Sequence, residues 1–107
     1  MAKNYTLIVN VPVKEADVVR NAIGDAGGGK VGNYSHCSFS VRGTGRFKGN
    51  EKSNPTIGHP GVFERVEEER IEISPISEEV IRDVIAAMKR VHPYEEVVYQ
   101  VIELAEL

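Results

Sequence analysis

The most chemically concentrated stretch of the sequence is His92-Pro93-Tyr94-Glu95-Glu96, which sets an imidazole and a phenol beside two carboxylates. An imidazole titrating near neutrality against Glu95 could move a proton, and Tyr94 could donate a hydrogen bond to a ligand. The same residues also suit a structural junction: Pro93 stops a helix, Tyr94 packs its ring, and Glu95 or Glu96 caps backbone amides at the turn. Catalysis would need a nucleophile or a defined acid–base partner, and the sequence supplies neither in a recognisable pairing. The junction is therefore the expected reading, and no catalytic residue and no enzyme activity are assigned.

His36, Cys37, His59 and His92 are the soft and borderline ligands a zinc or copper site would draw on. Their spacing argues against it, since no pair falls at the helical three- or four-residue step and adjacent strand residues such as His36 and Cys37 point to opposite faces. Cys37 shares its phase with Phe39 and Val41 and reads as a small core residue, with the histidines capping turns or lying in solvent. No cofactor is expected.

Gly24-Asp25-Ala26-Gly27-Gly28-Gly29-Lys30 fits most of a phosphate-binding loop, but Val31 stands where a magnesium-holding hydroxyl belongs. The context is also reversed, because a helix precedes and a strand follows, so the stretch reads as a helix cap and turn. Gly43-Thr44-Gly45-Arg46-Phe47 has two readings: a loop whose amides and Arg46 hold an anion, or a glycine-permitted turn with Phe47 packed on the core or a neighbour. The run Glu67-Glu68-Glu69-Arg70-Ile71-Glu72 reads as a solvated strand edge that discourages aggregation, with Glu68 and Arg70 on one face and able to pair.

These groups need a frame, and hydrophobic periodicity provides one. Residues 5–11 are dense in β-branched and aromatic types and read as a buried strand ended by Pro12. Over 13–26, Ala16, Val19, Ala22, Ile23 and Ala26 share a helical face, which the triple glycine terminates. Cys37, Phe39 and Val41 alternate with polar residues as a second strand with one face in the core. A long loop is expected at about 43–61, and a third strand at 63–73, where Phe63, Ile71 and Ile73 are out of phase with Val66; a bulge or an exposed, twisted ribbon end would account for that. After Pro75, Ser77 is the expected N-cap of a second helix whose stripe is Val80, Ile81, Val84, Ile85, Met88 and Val91, with Lys89 and Arg90 in its last turn. Val97, Val98, Tyr99, Val101 and Ile102 form a last strand, apolar on both faces and expected to be central or covered.

With 107 residues, 41% of them apolar, the chain can bury one core and is read as a single domain, 1–107. A net charge of −3 offers no cationic field, so neither nucleic acid nor membrane is an expected partner. The longest uninterrupted apolar run near the start, Leu7-Ile8-Val9, is too short for a signal core or a membrane span, and a lone cysteine suits a reducing compartment; a cytoplasmic location is expected. The element order predicts an α+β, ferredoxin-like βαββαβ sandwich, an antiparallel-rich sheet with two helices on one face. The uncovered face then favours a homo-oligomer.

A family resemblance runs through most of the chain: Ala26-Gly27-Gly28-Gly29-Lys30-Val31-Gly32-Asn33-Tyr34, Cys37-Ser38-Phe39, Gly43-Thr44-Gly45-Arg46-Phe47, Asn54-Pro55 with Gly58, the 67–72 acidic run, and His92-Pro93-Tyr94-Glu95-Glu96-Val97. Together these resemble the domain inserted in the middle of many bacterial NIF3-like proteins, here read as a free-standing chain. His92-Pro93-Tyr94-Glu95 is also similar to the late motif of the CutA family, which shares its fold class with PII signalling proteins. The resemblance implies a PII/CutA-like domain, commonly trimeric, with the loop between strands two and three where PII proteins carry their partner-binding loop. It brings no metal chemistry, because the metal ligands of NIF3-like proteins lie in flanking halves absent from this sequence. The expected function is an oligomeric binding or regulatory module, a trimer before a dimer. It would hold an unknown small molecule or protein partner through Gly43, Thr44, Gly45, Arg46, Phe47, His92, Tyr94 and Glu95 in clefts between subunits. The alternative is a CutA-like divalent-metal protein using His36, Cys37, His59 and His92.

Overall fold

The fold rests on a strand whose every second side chain is apolar. In the computed structural model, which describes residues 2–107, this is β1, Asn4–Pro12, and its Leu7, Val9 and Val11 are fully buried. A short 3-10 turn, Val13–Glu15, leads into α1, Ala16–Asp25, followed by β2 (Phe39–Lys48), β3 (Phe63–Ser77), α2 (Ile81–Val91) and β4 (Tyr99–Glu103). The strands form one sheet in the order β2-β3-β1-β4, with every neighbouring pair antiparallel. β1 and β2 are thus parallel to each other with β3 between them, and β3 and β4 are parallel with β1 between. Two interlocked split βαβ units result, the ferredoxin-like α+β arrangement read from the element order.

Both helices lie on one face of this sheet. Val19 and Ile23 from α1 and Val84 and Met88 from α2 meet Leu7, Val9 and Val11 of β1 and Ile71, Ile73 and Ile76 of β3 in a single core cluster. Full burial of such side chains stabilises by roughly 1.5–3 kcal/mol each before the ordering entropy is counted. The end of α1 explains the glycine run. Gly27 takes a left-handed φ of 107°, and the Gly28 N–H donates to Ile23 O at 2.9 Å. Gly29 donates to Pro75 O and accepts from Cys37 N–H, so this stretch spends its amides on the chain itself.

Four expectations are corrected. Residues 43–48 belong to β2, which pairs regularly with β3 from Phe39↔Glu72 to Lys48↔Phe63, so the loop spans only 49–62. Beyond Glu68, the partner of Pro12, this ribbon overhangs the end of β1. Its inward side is formed by Gly45, Phe47, Glu64, Val66 and Glu68 rather than by a regular apolar row, so the sequence shows no strand period there, and its glycines mimic a turn. The odd phase of Phe63 and Val66 comes from the same overhang, and the register irregularity lies elsewhere, between Tyr5 and Leu7.

Phe39 and Val41 do alternate, but their register opposite Glu72 and Arg70 turns them to the helix-free face, 65% and 48% exposed. It is Ser40, opposite Ile71, that faces the helices, where it accepts a hydrogen bond from Arg20 of α1. Cys37 lies outside the strand, half-buried. β4 is an edge strand rather than a central one; Tyr99 and Val101 face the helix side beside Val9 and Leu7, and Ile102 faces the open side. Ser77 is still strand, paired with Asn4, and α2 starts at Ile81 with no side-chain cap.

Candidate functional site

α2 ends where Pro93 forces His92 into an extended conformation, with ψ at 133°. The buried His92 ring then latches this junction to β1. Its Nε2–H donates to Asn10 O at 2.8 Å, and its Nδ1 accepts the Tyr94 N–H at 3.2 Å. Both nitrogens are occupied, so His92 positions the turn instead of exchanging a proton with Glu95.

Tyr94 crosses the end of β1 to reach β3. Its hydroxyl donates to Glu68 Oε2 at 2.5 Å, and its ring centroid lies 5.0 Å from that of His92 and 6.2 Å from that of Phe47 on β2. Burial, then the bond to the Glu68 carboxylate and the charge of Glu15, push the Tyr94 hydroxyl above its ordinary value of 10.0. Glu68 is only 8% exposed. A Cβ on Gly45 would sit 2.0 Å from Glu68 Oε1, so glycine there is what admits the carboxylate. Arg70, expected to pair with Glu68, bonds Glu72 instead at 3.1 Å.

The loop 49–62 folds over this junction. The Asn54 N–H points at the Glu95 carboxylate, 3.0 and 3.3 Å from its two oxygens, and Thr56 Oγ1 donates to Pro93 O at 2.5 Å. Gly61 N–H closes the neck onto Gly49 O at 2.7 Å. Between loop, ribbon and junction opens a cleft of about 580 Å³ walled by Phe47, Thr56, Ile57, Glu68, Tyr94 and Glu95.

The structure brings most of the expected binding residues together: Thr44, Gly45, Arg46, Phe47, Tyr94 and Glu95 all line this cleft. Gly43 lines a smaller depression of about 190 Å³ alongside it, and His92 is buried behind the wall. The metal candidates are not gathered. His36 Nε2 lies 2.8 Å from Asp25 Oδ1 at the end of α1, His59 sits in the loop and His92 at the end of α2, bonded to Asn10 of β1, and among the described residues no three His, Cys, Asp or Glu side chains converge on a metal position. Glu68 and Asn10 also line the cleft and were not singled out by the sequence. Glu68 is hidden within a run of glutamates, and only its register opposite Gly43, next to Gly45, distinguishes it.

No family model matches the chain. A curated protein of Halalkalibacterium halodurans named GTP cyclohydrolase 1 type 2 homolog is 48% identical over 101 residues, which is 94% of this chain and 27% of that protein. A protein of the same name from Mycobacterium tuberculosis is 42% identical over 98 residues, 91% of this chain and 25% of its own length. The crystal structure of a Bacillus cereus protein related to NIF3 superimposes with a TM-score of 0.80 at 47% identity, covering 99% of this chain and 27% of that one. The chain is homologous to one segment of the NIF3-related proteins. The chain spans about a quarter of the length of the curated relatives it matches. B. subtilis GlnK, at 18% identity and a TM-score of 0.50 over 96% of this chain, shares the PII fold.

Proposed function

We propose that this NIF3-related chain is a non-catalytic, oligomeric binding or regulatory module that holds a small ligand or a protein partner in the cleft between β2, the loop 49–62 and the 92–96 junction. The observation that carries this reading is convergence. The loop is fastened to the junction through Asn54–Glu95 and Thr56–Pro93, and the fastening frames a cleft of about 580 Å³. That volume falls in the range of small-molecule sites. The hydroxyl–carboxylate pair that lines it, Tyr94 with Glu68, holds the phenol in its protonated form rather than activating it, which favours binding over turnover. The cyclohydrolase in the relatives' name belongs to proteins of which this chain matches a quarter, and it is not transferred here.

Self-association rests on the helix-free face, where Phe39, Val41 and Ile102 stand exposed in a domain too small to waste apolar surface. A trimer is favoured over a dimer by the resemblance to PII/CutA-like proteins, with subunit boundaries beside the cleft. The half-buried, unpaired Cys37 suits a reducing, cytoplasmic setting.

Native mass spectrometry of the intact assembly, with a thermal-shift screen of metabolites, tests the proposal. A species retained in stoichiometric amount, or a metabolite that raises the melting temperature, is the expected result. An assembly that retains nothing and responds to nothing overturns the small-molecule reading. Light scattering that shows a clean monomer at micromolar concentration overturns the oligomer.

A further inference from the structure

The floor of the cleft holds a carboxylate that the protein itself only half satisfies. Glu68 is 8% exposed, and among the described residues Tyr94 is its one hydrogen-bond donor, at Oε2. Oε1 faces Gly45 and has no donor, and no Lys, Arg or His pairs with Glu68 among the described residues. A second carboxylate lies close enough to act on Tyr94: Glu15, whose Oε2 is buried without a hydrogen-bond partner. Glu68 Oε1, by contrast, still reaches the solvent of the cleft, where an incoming donor can bond it without any rearrangement of the chain.

The approach to Oε1 is kept open by glycine. Gly43 pairs opposite Glu68 and a Cβ there would meet nothing within 4 Å, whereas a Cβ on Gly45 would stand on Oε1 itself. Glu68 lines both the main cleft and the smaller depression beside it, whose wall also carries Arg42 and Arg70, the latter paired with Glu72. The rim does not set the sign of the ligand. Arg46 and Lys48 are matched there by Glu95 and Glu96, and the Lys48 ammonium lies over the Phe63 ring, 4.8 Å from its centroid. Above the floor the Phe47 and Tyr94 rings, tilted at 57°, form an aromatic wedge suited to a flat group. A metal ion would want several oxygen or nitrogen ligands, and among the described residues no three His, Cys, Asp or Glu side chains converge. A planar fork of N–H donors needs only the free lone pairs of one carboxylate.

We propose that this cleft selects a flat ligand bearing a cationic amidine- or guanidine-type head, received by Glu68 between Gly45 and Tyr94. The inference rests on the cleft being the binding site and adds the chemistry of what enters it.

Benzamidine is the probe, with benzoate as a control of similar shape and opposite charge, each titrated into the full chain by calorimetry and by backbone-amide NMR. Benzamidine should bind and shift the amides of Gly43, Gly45, Glu68 and Tyr94, and benzoate should not. E68Q, which preserves shape while removing the charge, should weaken benzamidine roughly tenfold or more, the loss expected for a charge-assisted bond. G45A should weaken it too, by placing a methyl group on Oε1. Equal binding of benzoate, benzamidine binding indifferent to E68Q, or zinc bound where benzamidine is not would each overturn the proposal; the benzoate comparison needs no variant to fold. An anionic species found in the same cleft by native mass spectrometry would overturn this inference and leave the binding module standing, whereas silence from every probe and metabolite removes both.

Discussion

Under the two helices, Leu7, Val9, Val11, Val19, Ile23, Ile71, Ile73, Val84 and Met88 interlock in a buried layer to which two helices and two strands all contribute. At the far end of the same sheet, where β1 stops at Pro12, the ribbon, the loop and the 92–96 junction meet through a few polar contacts: Tyr94 to Glu68, Asn54 to Glu95 and Thr56 to Pro93. Many apolar contacts share the load in the first region, so no single one decides the geometry. In the second each bond joins residues 26 to 41 positions apart, and losing one releases a whole segment. The division assigns global stability to the first region and leaves the second for the proposed recognition.

The largest effect is therefore expected in the covered layer. Met88→Ala removes a fully buried side chain from the centre of α2 and should destabilise the fold by about 2–5 kcal/mol, read as a lowered midpoint with an unchanged slope in urea unfolding. A loss no greater than that of a cleft substitution would break the division.

The same division explains what the sequence could reveal. In the covered layer side-chain period and burial coincide, so β1, both helices and the ferredoxin-like order were legible from Leu7-x-Val9-x-Val11 and from the stripe through Val84 and Met88. The period of β2 was legible too, but not its direction, because alternation says nothing about which face the helices will cover; Phe39 and Val41 turned out on the open one. Past Glu68 the inward side of the ribbon carries no regular apolar row and so no period to read, and 43–48 passed for loop. The expected binding residues on β2 and the junction do share a cleft, because glycines beside an aromatic and a helix stop beside a tyrosine are visible chemistry. Glu68 was not visible, since its burial depends on Gly45 across the ribbon and Tyr94 from beyond α2.

Tyr94→Phe sharpens the boundary between the regions. It leaves the ring against His92 and Phe47 but strips Glu68 of its only donor among the described residues, which should destabilise by roughly 1–3 kcal/mol while the fold persists. The intact phenol also carries a pH signature. Its folded value is raised above 10.0, so its contribution to stability is full below pH 10.0, the unfolded value, and is lost as pH rises through the folded one. In an absorbance titration one of the four tyrosines should ionise later than the rest, and that late step should vanish in Y94F. Ionisation of all four together would mean that Tyr94 is not held by Glu68.

The smallest effect on stability, and the most local, belongs to Glu95→Ala. The Glu95 carboxylate lies on the surface and holds the loop only through the Asn54 N–H, with Thr56 as the second fastening. Its loss should leave the thermal midpoint almost unchanged, because no apolar side chain moves out of the core. It should speed proteolytic cleavage within 49–62 several-fold, since local opening follows the number of contacts that close the segment rather than the stability of the whole. Adding Thr56→Val should speed cleavage further, whereas the same Thr56 change alone should resemble E95A. A fall in the midpoint comparable to that of Met88→Ala would mean that the loop is part of the core after all, and recognition and stability would no longer be separable in this domain.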